Sequence, residues 1–394
     1  VTDARAEPGP ASGHRGWSLA LVAVVVTAVA VGCGGGADPG KPAAPSADRT
    51  ATVTSKDDNK TGAARLTLRQ AIGQRMVFAY AGAHPPAALR RRIARGEAAG
   101  VVLFSRNVRS VAAVRTQIAE LQHIKRPAAV DAPLLVMVDQ EGGDVRRLPG
   151  PPAAGAAATP SSATARANGR AAGRLLHSAG VTVDLAPVVD VGRADHALAN
   201  EGRTYDDDAP GVIAKAGAFA DGLRAAGVEP VLKHFPGFGA ASINTDDGAA
   251  RIDLSLSELR AVDLRPYAKI ETRAVMLSTA VYPRVDPRPA AFSKRWVGDE
   301  LRRRLKFAGV TITDDLQTPA VAKYGSPAQL AYFTMKAGVD LPLFAKDYKT
   351  GARAAAGLER AVRSGALTRA RLDAGARRVL RWRIALAAKA KDDN

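Results

Sequence analysis

From Leu66 onward the chain alternates short apolar runs with longer stretches whose apolar residues recur at helical spacing. The runs fall at 76–80, 101–104, 134–138, 181–189, 230–234, 274–277, 310–312 and 339–344. Runs that are apolar on both faces are what a parallel sheet requires, because helices cover both of its sides. The stretches between them carry patterns such as Leu259, Val262, Tyr267 and Ile270, which read as helices. Eight alternations of strand and helix predict an α/β fold of the (β/α)8 barrel type, a single domain over residues 65–389, rather than an open sheet. After Leu372, the series Ala376, Val379, Leu380, Ile384 and Ala387 predicts a last amphipathic helix that closes the barrel, followed by a polar tail at 390–394.

The pattern changes before residue 65. His14 and Arg15 precede an apolar run at 17–31, which leads through Ala30, Val31 and Gly32 to Cys33 and then Gly34 to Gly36. This is the layout of a secretory signal ending in a lipobox, with residues 1–33 as the signal and Cys33 as the lipid-bearing first residue of the mature chain. An uncleaved single-span anchor and an ordinary signal with an incidental cysteine stay open as alternatives. Each of the three places the rest of the chain outside the cytoplasmic membrane; the lipobox reading also gives the protein a membrane partner through its lipid anchor. Residues 34–64 are mostly Gly, Pro, Ala, Ser, Thr, Lys and Asp without a hydrophobic period, as in a flexible tether.

Composition narrows the function classes. The 394 residues are 46% hydrophobic and 24% charged, which excludes a disordered chain. The formal net charge is +18. Its arginines (90–92, 302–304, 377, 378, 381 and 383) lie on expected helices without interleaved aromatics, so they read mostly as solvated helix faces and not as a nucleic-acid site. Cys33 is the one cysteine, so no internal disulfide holds the domain.

In a barrel of this kind the chemistry sits at the C-terminal ends of the strands, and there the polar residues gather. The third run ends in Asp139-Gln140-Glu141-Gly142-Gly143, the fourth at Asp190, the fifth at Lys233-His234, the sixth at Ser278-Thr279, and the seventh at Thr313-Asp314-Asp315. Carboxylates beside a Lys, a His and arginines suit a polyhydroxylated ligand, since carboxylates accept from hydroxyls and cations donate to them. His234 has no second His or Cys at ligand spacing, which argues against a zinc site. No glycine pattern reads as a nucleotide phosphate loop. After Lys233-His234, the residues Pro236, Gly237 and Gly239 end regular structure and free the following loop, which carries Asn244, Asp246 and Asp247.

Four ordered motifs carry a family resemblance: GVVLFSRN at 100–107, LLVMVDQEGGDVRRL at 134–148, KHFPGFG at 233–239 and GVTITDDL at 309–316. Together they resemble glycoside hydrolase family 3, in particular its single-domain bacterial β-N-acetylglucosaminidases, over roughly residues 66–386. The resemblance implies a barrel fold and a retaining exo-glycosidase that removes terminal β-linked N-acetylglucosamine from peptidoglycan-type or related glycans, through a covalent glycosyl-enzyme. It puts Asp314 at the nucleophile and Asp139, Arg147, Arg203, Lys233 and His234 at the sugar-binding positions. Asp315 is then a structural neighbour, and the reaction needs no metal or organic cofactor.

The chain departs from the family pattern on the loop. Single-domain members usually carry a His-Asp dyad there; alignment puts Asn244 at the aspartate and Asp246 at the histidine, and Phe238 replaces a histidine between the two glycines. Thr279 and Thr318 stand where close members tend to have His and Met. Asp246 is therefore the candidate acid/base. A solvated aspartic acid has a pKa of ~3.9, against ~6.5 for histidine, so Asp246 needs an apolar or like-charged setting to keep its proton. Two alternatives remain beside the hydrolase: a catalytically weakened glycan-binding surface lipoprotein, and a family member of other specificity such as a β-glucosidase.

Overall fold

The structure is a computed structural model that describes residues 66–392. The expected signal and lipobox at 1–33 with Cys33, the linker at 34–64 and the last two residues of the tail lie outside the described residues. Nine parallel strands form one sheet: β1 (Val77–Phe78), β2 (Gly100–Val102), β3 (Leu135–Val138), β4 (Val183–Asp184), β5 (Glu229–Pro230), β6 (Leu232–Phe235), β7 (Ala274–Leu277), β8 (Val310–Asp315) and β9 (Leu341–Phe344). Their order is β5-β4-β3-β2-β1-β9-β8-β7-β6. The two ends, β5 and β6, are separated in the chain only by Val231, so they are halves of one broken strand and the ring is closed as a (β/α)8 barrel. Val231 makes the seam: its N–H donates to the carbonyls of Asp184 at 3.0 Å and Ala186 at 2.9 Å.

Each expected run holds a strand, with edges moved by local chemistry. The run at 181–189 keeps only β4 as ladder, because Pro187 has no N–H to give the sheet; a single bridge from Val188 to Lys233 continues the pairing. The run at 310–312 extends to Asp315, which carries Asp314 to the rim as part of a strand. Helices follow the strands, and their starts are set by side-chain caps. Ser161 caps α1 (Ser162–Ser178), Asp208 caps α2 (Ala209–Ala225) and Asp347 caps α3 (Tyr348–Arg363), each accepting from a backbone N–H three residues on.

Alternate residues of the strands point inward, and Val77, Val102, Met137, Val183, Val310 and Ile312 fill the ring. Val379 and Trp382 of the last helix, α4 (Arg369–Asp392), join that interior cluster and plug the end where the strands begin. The predicted closing helix is present, but Ile384 is 53% exposed, because five residues beyond Val379 the helix has turned away from the core. α4 also runs beyond residue 389, into the stretch expected as tail. Among the described residues no helix is long and apolar enough to cross a membrane.

Not all the arginines are solvated. Arg383 is buried and donates to the carbonyls of Ala132 and Pro133 and to Gln74, while Arg302 and Arg378 converge on buried Asp340 at 2.8 and 2.5 Å. Strand ends and loops at this end of the barrel present carbonyls and a carboxylate that need donors, and the guanidinium fork supplies several at once. Burial lowers the Arg383 pKa to about 9. Arg377 and Arg381 remain on the solvent face as expected.

Candidate active site

A hollow with about 770 Å³ of empty space, partly open to solvent, lies at the C-terminal ends of the strands. Asp139, Arg147, Arg203, Lys233, His234, Asp246 and Asp314 all line it, so the ring brings together every sequence-predicted site residue within the described chain. Cys33 is outside that region.

One side is a grid of alternating charges. Lys233, on β6, places Nζ 2.7 Å from both Asp139 Oδ1 and Glu141 Oε1. Arg203 closes a two-pronged pair on Glu141 at 2.8 and 2.9 Å, and Arg147 lies 3.7 Å from Asp139. Burial alone would push both carboxyls up, but the cations outweigh it: Lys233 and Arg147 hold Asp139 below the usual carboxylate range, and Arg203 and Lys233 do the same for Glu141. Burial would likewise depress Lys233, and Asp139 and Glu141 reverse that, so the group stays charged. Fixed charges with unused lone pairs and N–H groups are suited to sorting sugar hydroxyls.

Below the grid Asp184 of β4 is fully buried, with Oδ1 accepting from Gln140 N–H at 2.9 Å and Oδ2 without a partner. Burial pushes its pKa up to about 8. It sits among carboxylates already paired to cations, so a neutral acid is the state the pocket tolerates.

His234 is held by Asp190, a residue that the sequence places at a strand end without naming its partner. Asp190 accepts from His234 Nδ1 at 2.8 Å, from His234 N–H and from Phe238 N–H at 2.6 Å. The carboxylate thus fixes both the ring and the start of the loop. Phe238, in place of a histidine, packs its ring edgewise on His234 with centroids 5.9 Å apart. The glycines beside it serve close approach: a Cβ on Gly239 would stand 1.8 Å from the Val191 carbonyl, and Gly237 has φ +130°. Tyr282 donates its hydroxyl to the Gly237 carbonyl at 2.8 Å, so the base of the loop is pinned, where the glycines in the sequence suggest that it is free.

Asp314, the penultimate residue of β8, is four strands round the ring from the β3 end that carries Asp139, and its Oδ1 accepts from Asp315 N–H at 2.8 Å. Asp315 also lines the hollow, but its Oδ1 accepts from Gln317 and Ala345 N–H at 2.9 and 3.0 Å, and burial raises its pKa to about 6. Asp246 stands on the exposed rim; loss of hydration, and then the Asp314 charge, raise its pKa. Asn244 does not touch the Asp246 carboxyl. It accepts from Asp246 N–H at 3.1 Å and donates to Glu201 at 2.8 Å.

Thr245 and Phe104 also line the site, Phe104 from within the motif at 100–107, though the sequence singles out neither as a candidate. Thr245 lies 3.4 Å from Asp314 Oδ2, and its only sequence signal is its place between Asn244 and Asp246. Phe104 ends the second run, where position alone could have pointed to it. Thr279 and Thr318 are buried outside the lining of the hollow. Among the described residues no group of three or more His, Cys, Asp or Glu is placed to hold a metal ion.

The chain is similar to known proteins in sequence and in fold. The profile of the glycosyl hydrolase family 3 N terminal domain matches residues 67–382. An uncharacterized secreted glycosyl hydrolase of Arthroderma benhamiae is 36% identical over 290 residues, 71% of this chain and 82% of that protein. A β-hexosaminidase of Xanthomonas euvesicatoria is 39% identical over 259 residues, 62% of this chain and 75% of its own length. Among solved structures, the β-N-acetylhexosaminidase of Beutenbergia cavernae aligns with a TM-score of 0.73 at 33% identity, covering 83% of this chain and 99% of that one. A family 3 β-N-acetylglucosaminidase from a Paenibacillus species aligns at 0.77 and 28% identity over 82% of this chain, and this chain spans 64% of its length. On the extent of these matches, the chain belongs to glycoside hydrolase family 3.

Proposed function

We propose that this protein is a retaining exo-glycosidase that removes terminal β-linked N-acetylglucosamine from peptidoglycan-type or related glycans. The observation that carries it is the meeting of two carboxyl groups of different character, Asp314 and Asp246, in one sugar-sized hollow with the charged grid around Lys233. Asp139, Arg147, Arg203, Lys233 and His234 hold the hydroxyls of the terminal sugar. Asp314 attacks the anomeric carbon and forms the covalent glycosyl-enzyme. Asp246, whose hold on its proton is strengthened by loss of hydration and by the Asp314 charge, protonates the leaving oxygen and then takes a proton from the attacking water. The β-hexosaminidase names of the relatives support the choice of sugar.

An aryl β-N-acetylglucosaminide is expected to be hydrolysed by the wild type and, in Asp314→Asn, to lose at least roughly a thousandfold in kcat. Turnover of an aryl β-glucoside instead would move the specificity to a β-glucosidase. The absence of a histidine on the loop favours a second reading, a glycan-binding surface lipoprotein with little activity; sugar binding without turnover of any aryl glycoside would favour it. We also propose that Cys33 is acylated and that the barrel is carried on the outer face of the cell membrane, on the strength of the lipobox pattern. The mass of the mature N-terminus is expected to show a diacylglyceryl cysteine, and an unmodified Cys33 would remove the anchor.

A further inference from the structure

A continuous chain of polar contacts leaves the charged grid and ends on the loop. Glu141 pairs with Arg203; Arg203 Nη1 donates to Glu201 Oε2 at 2.9 Å; Glu201 Oε1 accepts from Asn244 Nδ2 at 2.8 Å; and Asn244 Oδ1 accepts from Asp246 N–H at 3.1 Å. The residue at position 244 stands between the Glu201 carboxylate oxygen, which accepts, and a backbone N–H, which can only donate. It must donate at one atom and accept at the other. An amide does this; an aspartate offers two acceptors and would face Glu201 with like charge.

We propose that Glu201 and Asn244 are positioning residues: the link Arg203–Glu201–Asn244 ties the loop bearing Asp246 to the sugar-binding grid, and it requires an amide at one end of the Glu201–Asn244 pair. Two features sharpen this. Thr245, next in the chain, reaches toward Asp314, so the loop is held at one residue by the grid and at the next by that carboxylate. Arg203 serves both the link and the hollow, so a sugar held by Arg203 is felt at the loop. The asparagine at a position where the family usually has aspartate is then not a degraded dyad. It is the partner that Glu201 demands. The proposal rests on Asp246 being the acid/base.

The test is an exchange of the amide. Asn244→Asp is expected to lower kcat about tenfold on a substrate with a poor leaving group, with KM nearly unchanged and a smaller loss on an activated aryl glycoside. Glu201→Gln alone should lose severalfold. In the double variant Glu201→Gln with Asn244→Asp, the glutamine accepts from Arg203 and donates to the new carboxylate, and kcat should return to within about threefold of wild type. A double variant no better than the product of the two single losses would overturn the link, whatever happens to Asp246. Hydrogen exchange over residues 240–250 gives a readout independent of turnover: protection in the wild type, loss in Asn244→Asp and recovery in the double variant support the link, while protection that ignores all three changes refutes it. If Asp246→Ala leaves slow substrates unaffected, the acid/base reading falls, and the exchange pattern still decides whether Glu201 and Asn244 hold the loop.

Discussion

At the residue scale the most informative side chain is Asp184, which no motif pointed to. Its pKa of about 8 in the folded chain stands against 3.8 for a free aspartate. Below the lower value both folded and unfolded chains carry the proton. Between about 4 and 8 the folded chain keeps a proton that the unfolded chain has lost, so the contribution of Asp184 to stability falls as pH rises through this window. Asp184→Asn removes the titration and can keep the bond from Gln140 N–H through its carbonyl oxygen. Thermal melts at pH 5 and pH 8 should therefore differ less in Asp184→Asn than in the wild type; an unchanged difference would show that Asp184 is ionised in the fold. Asp314 and Asp315, adjacent in sequence, meet different partners: Asp314 Oδ2 faces the Thr245 hydroxyl of the loop, while Asp315 Oδ1 accepts from Gln317 N–H.

At the scale of an element, the loop after β6 converts a strand end into part of a site. Its base is fixed by Asp190, by the Tyr282 hydroxyl and by the tight fit of Gly239 against Val191, and its tip carries Asp246 on the rim. A carboxylic acid in place of histidine works as a proton donor only while it is protonated. Activity on slow substrates should therefore fall as pH rises through the raised Asp246 pKa, and Asp246→Ala should abolish that alkaline limb together with most of the rate. With an activated leaving group, which needs no proton, the variant should keep most of its first-step rate. A pH profile on slow substrates that is the same in both proteins would exclude Asp246. The broken strand of β5 and β6 is the other element that matters: the break at Val231 lets one segment pair with β4 on one side and β7 on the other, and this seats Lys233 and His234 on the inner rim.

At the scale of the whole molecule, the closed ring has a chemical end and a structural end. One end gathers carboxylates, Lys233 and His234 around a hollow; the other is plugged by Val379 and Trp382 and tied by buried arginines to loop carbonyls and to Asp340. Part of the positive charge of the chain is thus consumed inside the fold. What the sequence determined by itself was periodic or local: eight apolar runs spaced by helices, polar residues at the run ends, and four motifs whose order carried the family. Buried strands need apolar residues on both faces, and such a pattern survives reading in one dimension. What only the tertiary structure decided were the pairings between distant parts of the chain: Asp190 with His234, Glu201 with Asn244, Thr245 beside Asp314, Arg383 on loop carbonyls, and the neutral Asp184 beneath them. These depend on which atoms the closing of the ring brings within hydrogen-bond reach and out of water, and no spacing along the chain encodes that.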